Sequence, residues 1–318
     1  MLLETLYAIQ YTLYDKIMAK IRTRRYYLYY AAKILFCIIG FIPRRISVFL
    51  SDHLGRGAFK LLKKHREIAV SNLKDGFGCD DKECLRIAED VFRNVAKNGA
   101  DWIKFLSYSK EDIGRLVTEI EGIDNLDRAI SEGKGVILLA SHFGNWELLS
   151  AYLYSHGYTG AIIAKRIYFP KYDKLINRLR KRFGAKVVYR DESPKKLLRI
   201  LKSGGMLGIL ADQDVDSVES IFVDFFGKPA STPVAPVKIG MVTGANLVPA
   251  FMLRKKDDTY KLIIEKAISL VPRDDKNSDI ERYTQEWTAI LEKYVKKYPD
   301  QWVWMHRRWK TCPQSVGE

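Results

Sequence analysis

The chain has 318 residues, of which 47% are hydrophobic and 12% aromatic. This composition supports one large α/β domain or two smaller ones, and it excludes a largely disordered chain. The net charge of +15 predicts an anionic partner, such as nucleic acid, an anionic membrane surface, a phosphorylated lipid or an acidic carrier protein. No zinc-finger spacing or RNA-recognition signature accompanies the charge. The net charge therefore predicts that the partner is negatively charged, but it does not identify the partner.

The N-terminal residues 1–45 are predicted to form a membrane-anchoring helical segment. Apolar residues recur at helical spacing over residues 1–20, and an apolar, tyrosine-rich run follows over residues 26–42. At about 17 residues this run is at the lower limit for spanning a bilayer, and its tyrosines and flanking arginines are typical of the membrane interface. We expect either a single span or peripheral attachment; a buried helix of the core is the alternative.

The four cysteines, Cys37, Cys79, Cys84 and Cys312, are scattered and form no C-x-x-C pair. This spacing indicates neither a disulfide framework nor a metal site. We therefore expect reduced thiols, with Cys37 buried in its apolar run, and a main domain that faces a reducing compartment.

Residues 46–115 are predicted to form a helical region that packs on the core, and residues 116–318 an α/β core. From residue 117 onward, short apolar runs alternate with helical patterns, as in a mostly parallel central sheet flanked by helices. The predicted strands are 117–121, 136–141, 160–164, 185–189, 207–211, 247–253 and 260–264. The predicted helices are 124–132, 146–156, 170–183, 194–203, 233–244 and 278–297.

Three of the predicted strands end in polar residues. His142 follows the strand 136–141, Arg166 follows 160–164, and Asp212 follows 207–211. If these strands are parallel neighbours, their carboxyl ends meet at one edge of the sheet, where ligands bind in open α/β folds. On that condition, the sequence predicts an active site at this edge.

The segment at residues 136–149, VILLASHFGNWELL, carries the candidate chemistry in the pattern H-x4-E. His142 can act as a general base near neutral pH, and Glu147 could fix its tautomer and stabilise its charged form. Gly144 and Asn145 permit a tight turn, and we expect their backbone N–H groups to be free to bind an oxyanion. The structural alternative is a histidine that caps a strand and a glutamate favoured by the helix dipole.

The other polar residues of this edge are candidates for substrate binding. Arg166 could bind a phosphate through two hydrogen bonds, or it could be one more surface cation. Asp212 and Asp214 are expected to bond substrate hydroxyls or to support the turn, and we predict no metal site because a third clustered ligand is missing. The sequence contains no G-x-S-x-G, phosphate-loop or H-E-x-x-H motif, which disfavours serine hydrolases, NTPases and zinc peptidases.

Several of these segments, taken in order, resemble a known family. The segments are KKHREIAVSNL at 63–73, SHFGNWELL at 141–149, ADQD at 211–214, FVDFFGKPASTP at 222–233 and QWVWMHRRWK at 301–310. Together they are similar to the late acyltransferases of lipid A biosynthesis, the lauroyl and myristoyl type, within the lysophospholipid acyltransferase superfamily. The resemblance covers nearly the whole chain, including a membrane-anchoring N-terminus.

The resemblance implies transfer of a fatty acyl group from acyl carrier protein, or another acyl thioester, to a hydroxyl of a membrane glycolipid, with a lipid A precursor as the expected acceptor. His142 would be the general base and Glu147 the group that orients it. We assign the substrate contacts to Asn145, Arg166, Asp212, Gln213 and Asp214. No cofactor is expected, because the acyl thioester is itself a substrate, and neither a metal nor nucleic acid is expected. The expected location is the cytoplasmic face of a bacterial inner membrane.

Other interpretations of the same residues stay open. The acceptor could be another phospholipid or glycolipid, and a thioester hydrolase would differ only in what accepts the acyl group. A non-catalytic basic protein that binds nucleic acid or anionic lipid would need the charge but not the chemistry. Acyl transfer that depends on His142 distinguishes an enzyme from such a binding protein.

Overall fold

The structure, a computed structural model, describes residues 26–27, 29–31, 33–34, 36–273 and 275–313. The strands are β1 (Val117–Glu121), β2 (Val136–Ala140), β3 (Gly160–Ala164), β4 (Lys186–Tyr189), β5 (Met206–Leu210), β6 (Ser220–Phe225), β7 (Lys228–Pro233), β8 (Asn246–Arg254) and β9 (Tyr260–Ile264). Each predicted strand matches one of these to within one residue at either end.

After the helical residues described between 26 and 41, four helices lead up to the sheet: α1 (Arg44–Leu61), α2 (Lys63–Phe77), α3 (Asp81–Lys104) and α4 (Lys110–Leu116). Within the α/β region lie α5 (Ile123–Ser131), α6 (Trp146–Ser155), α7 (Pro170–Lys181), α8 (Pro194–Lys202), α9 (Ala235–Thr243) and α10 (Lys276–Lys297), and a short 3₁₀ turn (Pro299–Gln301) follows. Local sequence explains several of their starts. The side chains of Asp80, Asn145 and Asp275 cap α3, α6 and α10, and proline occupies the first turn of α7 and α8.

Seven strands form a central sheet in the order β1-β9-β8-β2-β5-β3-β4. All neighbours in it are parallel except β8 and β9, which are antiparallel. The connection between those two strands is only residues 255–259, too short for the crossover that a parallel pair needs. β6 and β7 form a separate antiparallel hairpin. The predicted α/β class, with a mostly parallel sheet flanked by helices, is confirmed.

The sheet separates two hydrophobic cores. Successive residues of β2 alternate between them, with Ile137 and Leu139 in one core and Val136 and Leu138 in the other. The first core contains residues of α2, α3, α8, α9 and α10, and the second contains residues of α4, α5, α6 and α7. Because helices cover both faces, β2 is buried along its whole length and is a rigid support for the loop at its carboxyl end.

Much of the predicted membrane-anchoring segment, including residues 1–25, lies outside the described residues. The described residues between 26 and 41 are helical. The Lys104 ammonium group at the end of α3 donates to the carbonyl oxygens of Ile39 at 2.8 Å and Gly40 at 3.4 Å, and so fixes the end of this segment to the body. Within the described parts of the chain, no helix combines the length and hydropathy needed to cross a membrane.

The cysteines differ from the sequence-based expectation. Cys79 and Cys84 form a disulfide across the turn between α2 and α3, with Cα atoms 5.8 Å apart. Cys37 is exposed rather than buried, and Cys312 is also free and exposed. The expectation of reduced thiols throughout the chain is therefore wrong, because the turn between α2 and α3 brings together two cysteines that no motif connects.

The turn that follows β2 lies directly against the backbone of β8. Gly144 in this turn has φ +54°, and a Cβ atom added to it would lie 1.9 Å from the carbonyl oxygen of Met252. The next residue, Asn145, donates its backbone N–H to that same oxygen at 2.9 Å. Glycine is therefore required both for the left-handed conformation and for the close approach of two backbones.

We expect Gly144→Ala to lower the free energy of unfolding by about 3 kcal/mol, because left-handed strain and a collision with Met252 add together. Gly78→Ala is the matched control, since Gly78 has φ +62° but nothing lies within 4 Å of the added Cβ. It should cost only about 1–2 kcal/mol. Urea denaturation followed by circular dichroism measures both variants, and equal losses would show that the turn has room for a side chain.

Candidate active site

The parallel pairing of β2 with β5 brings together two segments that are distant in the chain. Ala140 and Leu210 are paired in the register of these strands, and His142 and Asp212 each follow two residues later. Nδ1 of His142 lies 2.9 Å from Oδ1 of Asp212, and the backbone N–H of His142 donates to Oδ2 at 2.9 Å. The structure therefore joins these two predicted site residues directly at the carboxyl edge of the sheet.

The Asp212 carboxylate is buried and is held in its charged form. Only 1% of the residue is exposed, and the indole N–H of Trp302 donates to Oδ2 at 2.9 Å. Burial acts to raise the pKa of Asp212, but the attraction and hydrogen bonds of His142, with the attraction of His306, hold it well below its usual range. An ionised carboxylate only accepts hydrogen bonds, so Nδ1 of His142 carries its hydrogen and Nε2 is the basic nitrogen.

The His142 ring is held in one orientation but is not fully buried. Trp146, the first residue of α6, packs edge-on against it with ring centroids 5.1 Å apart. The side chain keeps 23% of its surface exposed. A histidine whose Nδ1 is fixed and whose side chain stays partly exposed has the arrangement required of a general base.

A second histidine, His306, lies beside this pair. Its ring centroid is 6.4 Å from that of His142 and 4.9 Å from that of Trp302. Burial lowers the pKa of His306 to about 4, against the attraction of Asp212, so the ring is neutral at physiological pH. Neither ring nitrogen makes a hydrogen bond of normal geometry with the described residues. The sequence-based prediction gave His306 no role, and the signal for it is the alternation of Trp302, Trp304 and His306 within the segment at 301–310.

Glu147 is paired with Arg180 of α7 rather than with His142. Arg180 donates to Oε1 of Glu147 at 2.5 Å and to Oε2 at 3.1 Å, and the two side chains are only 18% and 11% exposed. The prediction that Glu147 orients His142 is therefore corrected. Asp212 takes that position, because strand pairing brings it to Nδ1, whereas the first turn of α6 directs Glu147 toward α7.

A narrow apolar cavity adjoins this ion pair. Its lining includes Glu147, Arg180 and Trp146, and it extends along β5 from Leu210 at the carboxyl end to Met206 at the other end. Its volume is about 50 Å³. Apart from the ion pair and Ser150, the lining side chains are apolar or aromatic, so the cavity suits a hydrocarbon and not a sugar.

Three predicted substrate contacts are engaged within the protein instead. One is Asp212, whose carboxylate bonds His142 and Trp302 as described above, and the others are Asn145 and Asp214. Asn145 is 1% exposed; its side chain accepts from the N–H of Leu148 at 3.0 Å as the cap of α6 and donates to the hydroxyl of Tyr260 at 2.9 Å. Both carboxylate oxygens of Asp214 accept from Thr311, at 2.9 and 3.0 Å. Asn145 thus fixes the turn and Asp214 fixes the C-terminal segment, which corrects their assignment.

Arg166 and Gln213 lie near the same edge without touching His142. β3 is the neighbour of β5, so Arg166 follows an adjacent parallel strand as predicted. Its guanidinium group, however, lies 3.8 Å from the centroid of the Tyr189 ring, and its Nε donates to Asp191 at 3.2 Å. Arg166 is therefore directed toward β4. Gln213 is half-buried beside Asp212.

The backbone N–H groups predicted to be free for an oxyanion are occupied. Gly144 donates to the carbonyl of Gln301 at 2.8 Å and Asn145 to that of Met252 at 2.9 Å. The carbonyl oxygen of Gly144 accepts from the Asn98 side chain at 2.7 Å. The turn is thus rigid, and an oxyanion must find its donors elsewhere.

A buried carboxylate, Asp101 of α3, supports the turn through the hydroxyl of Tyr260. It accepts from Arg44 at 2.7 Å, from Arg254 at 2.9 Å and from the hydroxyl of Tyr260 at 2.6 Å. Burial acts to raise the pKa of Asp101, but the two guanidinium groups and Tyr260 hold it below its usual value. Because Tyr260 in turn accepts from Asn145, this hub connects the start of α1 to the turn that carries His142.

Comparison with known proteins places the chain in a family. The family of bacterial lipid A biosynthesis acyltransferases matches residues 15–311. The chain is similar to a lipid A biosynthesis acyltransferase of Haemophilus influenzae, with 26% identity over 84% of this chain and 83% of the relative. It is also similar to the lipid A biosynthesis palmitoleoyltransferase of Escherichia coli (28% identity, 87% and 88% covered) and to its lauroyltransferase (26% identity, 92% and 94% covered). The chain therefore belongs to the bacterial lipid A biosynthesis acyltransferase family, and it is an acyltransferase.

Proposed function

We propose that this acyltransferase moves a fatty acyl group from acyl carrier protein to a hydroxyl of a lipid A precursor, with His142 as the general base. The observation that carries the proposal is the hydrogen bond between Nδ1 of His142 and the buried carboxylate of Asp212. That bond leaves Nε2 basic at the carboxyl edge of the sheet, in a chain that belongs to an acyltransferase family. The names of the E. coli and H. influenzae relatives support lipid A chemistry.

The chemistry requires no covalent intermediate on the protein. Nε2 of His142 takes the proton of the acceptor hydroxyl as its oxygen attacks the thioester carbonyl. The tetrahedral intermediate then expels the carrier thiolate, which receives the proton from Nε2, and an ester and a free thiol result. The negative charge of Asp212 stabilises the imidazolium in between, and a thioester already carries the activation that the transfer needs, so no cofactor is required.

His306 supports stabilisation of the oxyanion. A neutral imidazole next to His142 can donate an N–H to the developing charge without repelling the imidazolium that forms beside it. The backbone N–H groups of Gly144 and Asn145 are unable to serve, because both are already bonded. We therefore assign the donor role to His306.

The apolar cavity supports a contact with a short part of the acyl chain, since its volume of about 50 Å³ holds only a few carbon atoms. The cavity adjoins Trp146, which contacts the His142 ring, and it extends along β5 away from the carboxyl edge. The Glu147–Arg180 pair lies in its wall and joins α6 to α7. We infer that this pair keeps the cavity open and that Glu147 acts on the reaction through the position of α6.

The basic character of the chain supports the remaining partners. A net charge of +15 favours an acidic carrier protein as donor and a phosphorylated lipid as acceptor. We place the reaction at the cytoplasmic face of the bacterial inner membrane, where such a lipid and a soluble carrier meet.

The function is tested by acyl transfer from the carrier thioester to a phosphorylated lipid A precursor in detergent. We expect His142→Ala to lower kcat by about 10²–10⁴-fold, because the general base is lost, and Asp212→Asn by a comparable factor. Asp216→Asn, an exposed position four residues from Asp212, is the control and should match the wild type. Wild-type release of free fatty acid with no transfer to any glycolipid would identify a hydrolase. Full transfer by His142→Ala would exclude the proposed base.

The two acidic residues are distinguished by comparing kcat with stability. Asp212→Asn removes the group that orients His142, so it should lower kcat by about 10²–10⁴-fold. Glu147→Gln should lower kcat much less, and it should lower the free energy of unfolding by about 1–3 kcal/mol because Arg180 loses its partner. A Glu147→Gln/Arg180→Gln double variant should lose less stability than the sum of the single changes. A loss of kcat in Glu147→Gln as large as that in Asp212→Asn would restore Glu147 as the orienting group.

The neutral state of His306, whose two ring nitrogens are buried, predicts a pH-dependent stability. Between pH 4 and 6.5 the unfolded chain protonates this histidine and the folded protein does not, so the free energy of unfolding should rise with pH in that window. The contribution of His306 reaches at most about 1.4 kcal/mol per pH unit. His306→Asn should remove it, whereas His53→Asn, at an exposed site, should not. Urea titrations at several pH values measure the difference, and parallel curves for wild type and His306→Asn would contradict it.

A further inference from the structure

A large groove lies between α7 and the segment that follows β3. Its volume is about 1620 Å³, above the roughly 300–1,000 Å³ typical of a small-molecule pocket. One wall consists of residues 165–168, the other is α7, which begins at Pro170, and Tyr189 of β4 contributes to the lining. The groove is separate from the apolar cavity, with which it shares no lining residue.

The groove is strongly basic. Its lining contains six cations and one acid: Lys165, Arg166, Lys174, Arg178, Lys181, Arg182 and Asp173. Lys174, Arg178 and Lys181 are exposed and follow one another at spacings of four and three, so they lie along one face of α7. No acidic side chain of the described residues pairs with these three. Six positive charges around a concave surface create a strongly positive electrostatic potential in the groove.

The single acid does not offset this charge, because it is buried in the wall. Asp173 is 9% exposed; it accepts from the backbone N–H of Ile167 at 2.9 Å, from the Asn177 amide at 3.0 Å and from the Tyr189 hydroxyl. These bonds hold the segment after β3 against α7 and β4. The groove is therefore a built surface with fixed walls.

The groove adjoins an apolar surface formed by the helical residues that precede α1. Tyr26 packs on Phe169 with ring centroids 5.5 Å apart, and Tyr29 packs on Tyr172 at 5.6 Å. Lys171 lies over the Tyr26 ring at 4.3 Å. Further along the same segment, Ile38 is 54% and Phe41 91% exposed. Tyrosines packed beside the basic groove, in a helical segment that carries exposed apolar side chains further along, fit an amphiphile with an anionic headgroup and hydrocarbon tails.

We propose that this groove binds the phosphorylated headgroup of a membrane lipid, with Lys174, Arg178 and Lys181 on the phosphate groups and the segment before α1 against the hydrocarbon. The inference rests on the proposed function, for which it supplies the docking site of the acceptor. A soluble acidic protein would match the charge but would leave the neighbouring apolar side chains without a partner. A lipid at a membrane surface matches both features.

The test compares vesicles of phosphatidylcholine with vesicles that also contain phosphatidic acid, whose headgroup is a phosphate monoester. The groove variant is Lys174→Gln/Arg178→Gln/Lys181→Gln. The control, Lys82→Gln/Lys266→Gln/Lys276→Gln, makes the same change in net charge at exposed lysines outside the groove. We expect the groove variant to bind phosphatidic acid vesicles roughly tenfold more weakly in sedimentation, and the control less than about twofold. An equal loss in both variants would reduce the effect to bulk attraction and overturn the proposal.

Two further arms identify the source of the phosphate. Inorganic phosphate, compared with chloride at equal ionic strength, should leave wild-type vesicle binding unchanged; displacement would make free phosphate the ligand. Binding of acyl carrier protein should be the same in the groove and control variants. If the groove variant loses the carrier protein and keeps the vesicles, the groove belongs to the donor and the proposal fails.

The kinetic arm separates this inference from the proposed function. With a phosphorylated lipid acceptor, the groove variant should show a raised KM for that lipid and a nearly unchanged kcat, since the reacting groups are untouched. If no variant and no wild-type preparation transfers an acyl group, the proposed function fails, and the vesicle comparison still decides the groove. Unchanged KM and unchanged vesicle binding in the groove variant would refute the inference while leaving His142 as the base.

Discussion

The proposed catalytic pair depends on the parallel hydrogen bonding of β2 to β5. His142 and Asp212 are 70 residues apart in the chain and meet only because the two strands pair in a register that ends both at the same level. The turn beyond β2 is then fixed from three sides, by Gln301, Met252 and Asn98. A shift of β5 by one residue would direct its side chains to the opposite face and separate the pair. The chemistry is thus a property of the sheet and not of the H-x4-E segment alone.

The sequence predicts the elements better than it predicts the contacts. Apolar runs locate the seven strands of the sheet, and polar residues at strand ends locate His142, Arg166 and Asp212 on one edge. The role of Asp212 was missed, because a glutamate five positions from His142 offers a local partner and strand pairing has no local signal. Asn145 could have been recognised, since an asparagine directly before an apolar helix is a typical cap. The disulfide between Cys79 and Cys84 depends on the turn between two helices and has no motif.

The charges of the two buried carboxylates, Asp101 and Asp212, are compensated in different ways. Asp101 is neutralised by the guanidinium groups of Arg44 and Arg254, which suits a structural hub. Asp212 takes its hydrogen bonds from His142 and Trp302, so its charge is compensated fully only when His142 becomes protonated. The neutral His306 adds no charge to this balance. An aspartate side chain therefore forms a permanent ion pair at position 101, whereas at position 212 its electrostatic balance depends on the protonation of a neighbouring histidine.

The hub at Asp101 sets a limit on how far the chain can be shortened from its N-terminus. Lys104 binds carbonyl oxygens of residues 39 and 40, and Arg44 is one of the two cations on Asp101. A fragment that begins before residue 39 keeps both attachments. A fragment that begins after residue 44 lacks Arg44, so the buried Asp101 carboxylate keeps only one of its two guanidinium partners. That carboxylate holds Tyr260, and Tyr260 holds the cap of α6. Trimming the apolar N-terminus for solubility would therefore disturb the turn that carries His142 once the cut passes Arg44.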